Sequence, residues 1–201
     1  MITLNQILKE EIVKELDSRG CLMLDLSKKI SNWKDITKII DPNDIYIDST
    51  DDYGIENHPH ITILYGFLPS IMGEDVKEFL SDMTQNVKFS LSGIGVFPGG
   101  EKKAFDVVKF DIISPDLQTL HERCKQIPNK ETFPDYNPHM TIAYVKKETG
   151  KKYVKKFQEP MEMDGNAFMY SVGGKGSPKI EWKISKKYKF SIELDKTENE
   201  K

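Results

Sequence analysis

The spacing of apolar residues changes period repeatedly along this chain, and each change marks an element. Leu4, Ile7, Leu8, Val13 and Leu16 recur at roughly helical spacing behind a Thr3/Gln6 capping box and end at Gly20, which predicts an N-terminal helix over residues 1–20. "CLMLDL" (21–26) is a short apolar strand, "SNWKDITKII" (31–40) a helix closed by Asp41-Pro42, and "DIYIDS" (44–49) an edge strand. Residues 49–58, "STDDYGIENH", show no periodicity and many turn formers, so they form a surface loop. A strand follows at 59–65, then a helix between Ser70 and Thr84 with Val76, Phe79, Leu80 and Met83 on one face.

Branched and aromatic residues at 87–97 and 105–112 flank "PGGEKKA" and predict a hairpin. Ser114-Pro115 sets a cap and a first-turn proline ahead of the amphipathic "DLQTLHERCKQ". A proline-punctuated loop, "PNKETFPDYNP", leads into a second strand at 139–145, and a lysine-rich helix is expected near 149–158. "MEMDGNAFMYSV" and "KIEWKIS" read as closing strands across a "GGKGSP" turn, and residues 188–201 as a charged, partly solvated tail. Helices alternating with strands and hairpins make this an α+β chain of one domain, built of two related lobes.

The relation between the lobes is written in two strands. "PHITILY" (59–65) and "PHMTIAY" (138–144) agree at proline, histidine, threonine, isoleucine and tyrosine. By simple strand alternation His60, Thr62 and Leu64 share one face and Ile61, Ile63 and Tyr65 the other; His139, Thr141 and Ala143 likewise oppose Met140, Ile142 and Tyr144. A single strand histidine is ordinarily a structural residue. Packing alone gives no reason for His and Thr at one offset twice, whereas a reaction that takes one proton and gives another has use for two imidazoles near pKa ~6.5. Inward hydroxyls of Thr62 and Thr141 can donate to non-bridging phosphate oxygens and hold phosphorus between the rings. Such a constellation suits phosphodiester cleavage, and it requires no metal or other cofactor.

At these residues the chain resembles the two-histidine (2H) phosphoesterases, whose signature is a pair of His-x-Thr/Ser motifs on strands of two pseudo-symmetric lobes. The resemblance spans roughly residues 21–185. It implies a bilobal fold of two antiparallel sheets lining a central cleft with helices outside, catalytic residues His60, Thr62, His139 and Thr141, and phosphodiester substrates with 2′,3′-cyclic, 2′–5′ or 3′–5′ linkages. "YGIENHPHITILYG" and "FPDYNPHMTIAYV" further resemble the phage-encoded anti-CBASS branch, which degrades cyclic nucleotide messengers of bacterial anti-phage defence. That likeness implies a cyclic di- or trinucleotide substrate, attack by the ribose 2′-hydroxyl, and a counter-defensive role. Base-stacking candidates are Trp182, Phe97, Tyr53 and Tyr136, although Trp182 alternates with Ile180 and Ile184 like a core residue and Phe97 closes a hairpin strand beside Pro98.

Composition narrows the field. The net charge of −3 argues against a coat for polymeric nucleic acid. It hides an asymmetry, −7 over residues 1–100 and +4 over residues 101–201, with six lysines in "KKETGKKYVKK" (146–156). No apolar run approaches the ~20 residues that cross a bilayer, and "MITLNQILKEEIVKEL" is too charged for a secretory signal, so a cytoplasmic monomer without membrane partners is expected. Cys21 and Cys124 are expected to be reduced and buried, and His121 to sit at a core boundary beside Leu117, Leu120 and Cys124. Three rival readings stand beside the first, one of them RNA processing that opens 2′,3′-cyclic ends or handles 2′–5′ linkages. His58, His60 and His139 could hold a zinc ion with an open position for water, or the cleft could bind a cyclic nucleotide and release it intact.

Overall fold

A computed structural model describes residues 19–49, 53–83, 86–101, 103–130, 135–172 and 180–181. The predicted N-terminal helix, the charged tail and Trp182 lie outside the described residues. Strand β1 (Gly20–Asp25) leads through helix α1 (Trp33–Ile36) and two 3-10 turns to β2 (His60–Phe67) and helix α2 (Gly73–Phe79). Strands β3 (Val87–Phe97) and β4 (Phe105–Ile113) form the predicted hairpin, and helix α3 (Pro115–Cys124) follows. Then come β5 (His139–Lys146), β6 (Lys155–Gly165), β7 (Phe168–Val172) and β8 (Ile180–Glu181).

These strands make two four-stranded antiparallel sheets, ordered β2-β1-β7-β8 and β5-β4-β3-β6. The α+β class and the paired sheets match the expectation. One apolar core joins them: Leu22, Leu24, Ile61 and Ile63 from the first sheet and Phe89, Phe110, Met140 and Ile142 from the second belong to a single buried cluster with Leu117 and Leu120 of α3. Helix α3 starts as the sequence predicts, with Ser114 Oγ accepting from Leu117 N at 3.0 Å and Pro115 in the first turn.

Three sequence expectations need correction. Residues 44–49 are not a strand; Ile45 makes one isolated bridge to Val145, because a 3-10 turn at Pro42–Asp44, capped by the Asp41 side chain on Asn43 N, bends the chain away. The lysine-rich helix near 149–158 is a single 3-10 turn, Gly150–Tyr153, followed directly by β6. Lys155 and Lys156 lie on the edge strand β6, where charge discourages pairing with another chain, while Lys152 of the turn pairs with Asp44. Finally, "MEMDGNAFMYSV" is not one strand: Gly165 ends β6 in the second sheet, and Phe168 begins β7 in the first.

The connections are exchanged between the sheets. The segment before β2 lies along the outer edge of β5, with Tyr46 N donating to Tyr144 O at 3.0 Å, Tyr144 N to Gly54 O at 2.8 Å and Glu56 N to Ile142 O at 3.0 Å. The segment before β5 lies along β2, with Lys130 N donating to Gly66 O at 2.8 Å and Leu68 N to Pro128 O at 3.1 Å. Each histidine strand is thus an edge covered by the loop that introduces the other, which brings β2 and β5 into contact and leaves neither edge open.

Candidate active site

The two histidine strands share a feature that alternation alone does not predict. In β2 the register passes from Thr62↔Met23 to Leu64↔Leu22, and in β5 from Thr141↔Lys109 to Ala143↔Val108. Ile63 and Ile142 are therefore the extra residues of two equivalent β-bulges. The bulge corrects the expected faces: Leu64 and Ala143 turn into the core beside Ile63 and Ile142, while Tyr65 is 38% exposed and Tyr144 half-buried. Strand β2 consequently carries His60, Thr62 and Tyr65 on one face, and β5 carries His139, Thr141 and Tyr144 on one face.

The imidazoles are held the same way. His60 Nδ1 lies 2.7 Å from the His58 carbonyl oxygen and His139 Nδ1 lies 2.8 Å from that of Asn137. A carbonyl only accepts, so each ring carries its proton on Nδ1 and keeps Nε2 as the nitrogen left for chemistry. The two rings are near enough for the charge of His60 to act on His139. Burial above all, with Lys109 and His60, holds the His139 imidazole below its ordinary value, against the opposing pull of the Asn137 carbonyl and Asp111.

Neighbouring strands extend the repeat. Asp25 stands opposite His60 and Asp111 opposite His139; Met23 stands opposite Thr62 and Lys109 opposite Thr141. These partners were missed from sequence, although "LMLDL" (22–26) and "VKFDI" (108–112) carry a matching apolar-x-apolar-Asp-apolar signal. Asp25 Oδ1 accepts from Ser27 N and Oγ at 2.9 and 2.6 Å. Asp111 instead pairs with the Lys109 ammonium. Gly95 faces Lys109 from β3, and a Cβ there would meet the Asp111 carboxylate at 2.6 Å, so only glycine leaves room for this pair.

The proposed stacking residues have different surroundings. Phe97 is 36% exposed, stands edge-on to His139 with ring centroids 4.8 Å apart, and carries the Lys109 ammonium 4.3 Å from its centroid. Tyr53 belongs to a half-buried cluster with Tyr46, Phe105 and Tyr144 at centroid distances of 4.6–5.5 Å. Tyr136 is committed within the protein: its hydroxyl donates to Thr62 O at 3.0 Å and its ring stacks on His121 at 4.0 Å, 2° from parallel. His121 is buried rather than at a boundary, and its Nδ1–H donates to Ile63 O at 2.8 Å. Together these two side chains hold the bulge of β2.

Cys124 is buried, while Cys21 is half-buried beside Thr62 and both thiols are free. Burial pushes each thiol up to about 12, with Thr62 opposing this at Cys21, so neither is a thiolate at neutral pH. Among the described residues no three His, Cys, Asp or Glu side chains are placed to hold a metal ion, so the three-histidine zinc reading finds no ligand set there. No described helix is long and apolar enough to cross a membrane.

Two antiparallel sheets whose edge strands β2 and β5 carry matched His-x-Thr segments and touch each other form the architecture of a two-histidine phosphoesterase. Residues 31–169 match the family model described as the 2′-5′ RNA ligase superfamily, and the chain belongs to that family. Its fold is similar to that of Kluyveromyces marxianus Usb1, at TM-score 0.51 and 10% identity over 83% of this chain and 98% of that one. Usb1 with uridine monophosphate gives TM-score 0.50 and 11% identity over 83% and 98%. E. coli LigT complexed with 3′-AMP gives TM-score 0.47 and 13% identity over 84% and 95%. Comparison with curated protein sequences yields no match.

Proposed function

We propose that the chain is a phosphodiesterase that cleaves ribonucleotide linkages by acid/base catalysis, with His60, Thr62, His139 and Thr141 as its catalytic residues. The observation that carries this reading is the paired Nδ1–H bonds to the carbonyls of His58 and Asn137, which give both rings the same tautomer and leave Nε2 of each as the nitrogen for proton transfer. One neutral Nε2 takes the proton of the ribose 2′-hydroxyl, whose oxygen attacks phosphorus. The bond from phosphorus to the 5′-oxygen breaks, and the other ring, as imidazolium, gives its proton to that oxygen. A 2′,3′-cyclic phosphate and a 5′-hydroxyl result; water opens the cyclic phosphate with the proton transfers reversed. The threonine hydroxyls donate to the non-bridging oxygens.

A cyclic di- or trinucleotide is the substrate that the charge pattern supports, since a net charge of −3 suits a small anionic ligand better than a polymer. The phage counter-defence role rests on the sequence likeness alone. A second reading, processing of RNA ends or of 2′–5′ linkages, is favoured by the description of the matching family. The test is a panel in chelator: cyclic di- and trinucleotides, RNA trimers ending in a 2′,3′-cyclic phosphate, a 2′–5′ dinucleotide and uridylyl-(3′,5′)-adenosine. Cleavage of a cyclic nucleotide to linear product supports the first reading, and cleavage confined to the RNA substrates supports the second. Recovery of every compound intact, with one of them bound, identifies a sponge and overturns both.

A further inference from the structure

The strand registers put Asp25 and Asp111 at equivalent positions beside the two His-x-Thr frames, but at the other equivalent position they put Met23 in one lobe and Lys109 in the other. A site that takes a proton at one end and gives one at the other needs a direction, and matched histidines do not provide it. Lys109 is the charged member of the mismatched pair. It lies opposite Thr141, is buried, pairs with Asp111, and sits over the Phe97 ring that touches His139. Met23, opposite Thr62, is buried and carries no charge.

We propose that Lys109 gives the site its polarity, acting as a positioning residue that makes His139 the base for the 2′-hydroxyl and His60 the acid for the leaving oxygen. The inference rests on the phosphodiesterase reading above and adds direction to it. Three charged groups act on His139. Strand β4 contributes Lys109 and Asp111, and β2 contributes His60. Strand β3 contributes no charge at Gly93, Gly95 or Phe97, and Lys156 of β6 lies one strand further out, opposite Gly93. Removing the ammonium leaves Asp111 uncompensated, and both changes favour protonated His139. Because a base works only when deprotonated, loss of Lys109 must raise the pH at which activity appears.

The test uses the full chain, with cyclic di-adenylate or uridylyl-(3′,5′)-adenosine, whichever is turned over, and the same diester bearing sulfur at the bridging leaving-group position. Sulfur departs without needing a proton. For Lys109→Met the acidic limb of the kcat/KM profile is expected to rise by about half to one pH unit, while Lys109→Arg keeps the wild-type limb. For His60→Ala the bridging-sulfur compound restores at least tenfold of the lost rate; for His139→Ala it restores none. Rescue of His139→Ala instead, a loss equal at every pH in a folded Lys109→Met, or an unshifted acidic limb overturns the inference and leaves the phosphodiesterase reading standing. Failure of the wild type to cleave any compound of the panel above overturns that reading, and the inference falls with it. Unfolding of Lys109→Met, read by circular dichroism, transfers the pH test to Lys109→Gln, in which an unmoved limb again counts against the proposal.

Discussion

The first lobe and the second lobe present the same frame in different settings. Both place His, Thr and Tyr on one side of an edge strand, both insert an isoleucine bulge after the threonine, and both set an aspartate opposite the histidine. The supports differ. The bulge carbonyl of Ile63 is met by the buried His121 ring, with Tyr136 on Thr62 O beside it. That of Ile142 is met by the backbone N–H of Glu56, whose own carbonyl accepts from the Trp33 indole at 2.6 Å. Duplication therefore reaches the atoms that would face a phosphate and stops at the scaffold, where any donor that satisfies a bent strand suffices.

The comparison is broken most severely by deleting a ring. His60→Ala and His139→Ala are each expected to lower kcat by about 10²–10⁴-fold with the circular dichroism spectrum unchanged. The double variant should fall little further, because the two rings act as a unit. Steady-state kinetics on the turned-over diester checks both. If the single losses multiplied, the rings would be working separately. Thr62→Val and Thr141→Val remove a hydroxyl but keep the strand's shape, and each should cost roughly 10- to 100-fold in kcat/KM, the worth of a hydrogen bond to a charged oxygen. Equal losses would show that the phosphate is gripped symmetrically.

Smaller effects sharpen the contrast in support. Phe97→Leu removes an aromatic face beside His139 and should raise KM about fivefold or more if a base stacks there; an unchanged KM would assign the ring to holding Lys109 and His139. Tyr136→Phe leaves Thr62 O without its side-chain donor and is expected to cost about 1 kcal/mol in a denaturant titration, with a modest fall in kcat. Among the described residues no side-chain hydroxyl donates to Thr141 O, so this variant loosens the first lobe selectively.

What could be read from the chain follows the physics of each element. The His-x-Thr strands, the β3–β4 hairpin and the Ser114 cap were legible because local chemistry determines them: alternation, a Pro-Gly-Gly turn, and a hydroxyl ahead of a proline. The bulges were not, because an inserted residue is defined by its partner strand, and without it Leu64 and Tyr65 fall on the wrong faces. Lys109 and Asp111 looked like ordinary alternating residues of a hairpin; their place beside His139 arises from pairing across 30 residues of chain. The lysines of 146–156 suggested a helix, yet their role at the edge of the second sheet depends on β3 lying alongside. Residues whose role is set by a neighbour distant in sequence were the ones missed.

The proposed catalysis requires both imidazoles to address one phosphorus. A crystal structure with uridine vanadate, which mimics the five-coordinate phosphorus of the transition state, measures this directly. The predicted result has His60 Nε2 and His139 Nε2 each within ~2.6–3.2 Å of opposite apical oxygens, with the Thr62 and Thr141 hydroxyls on the equatorial ones. Vanadate held by one histidine, with the other ring turned elsewhere, would contradict it.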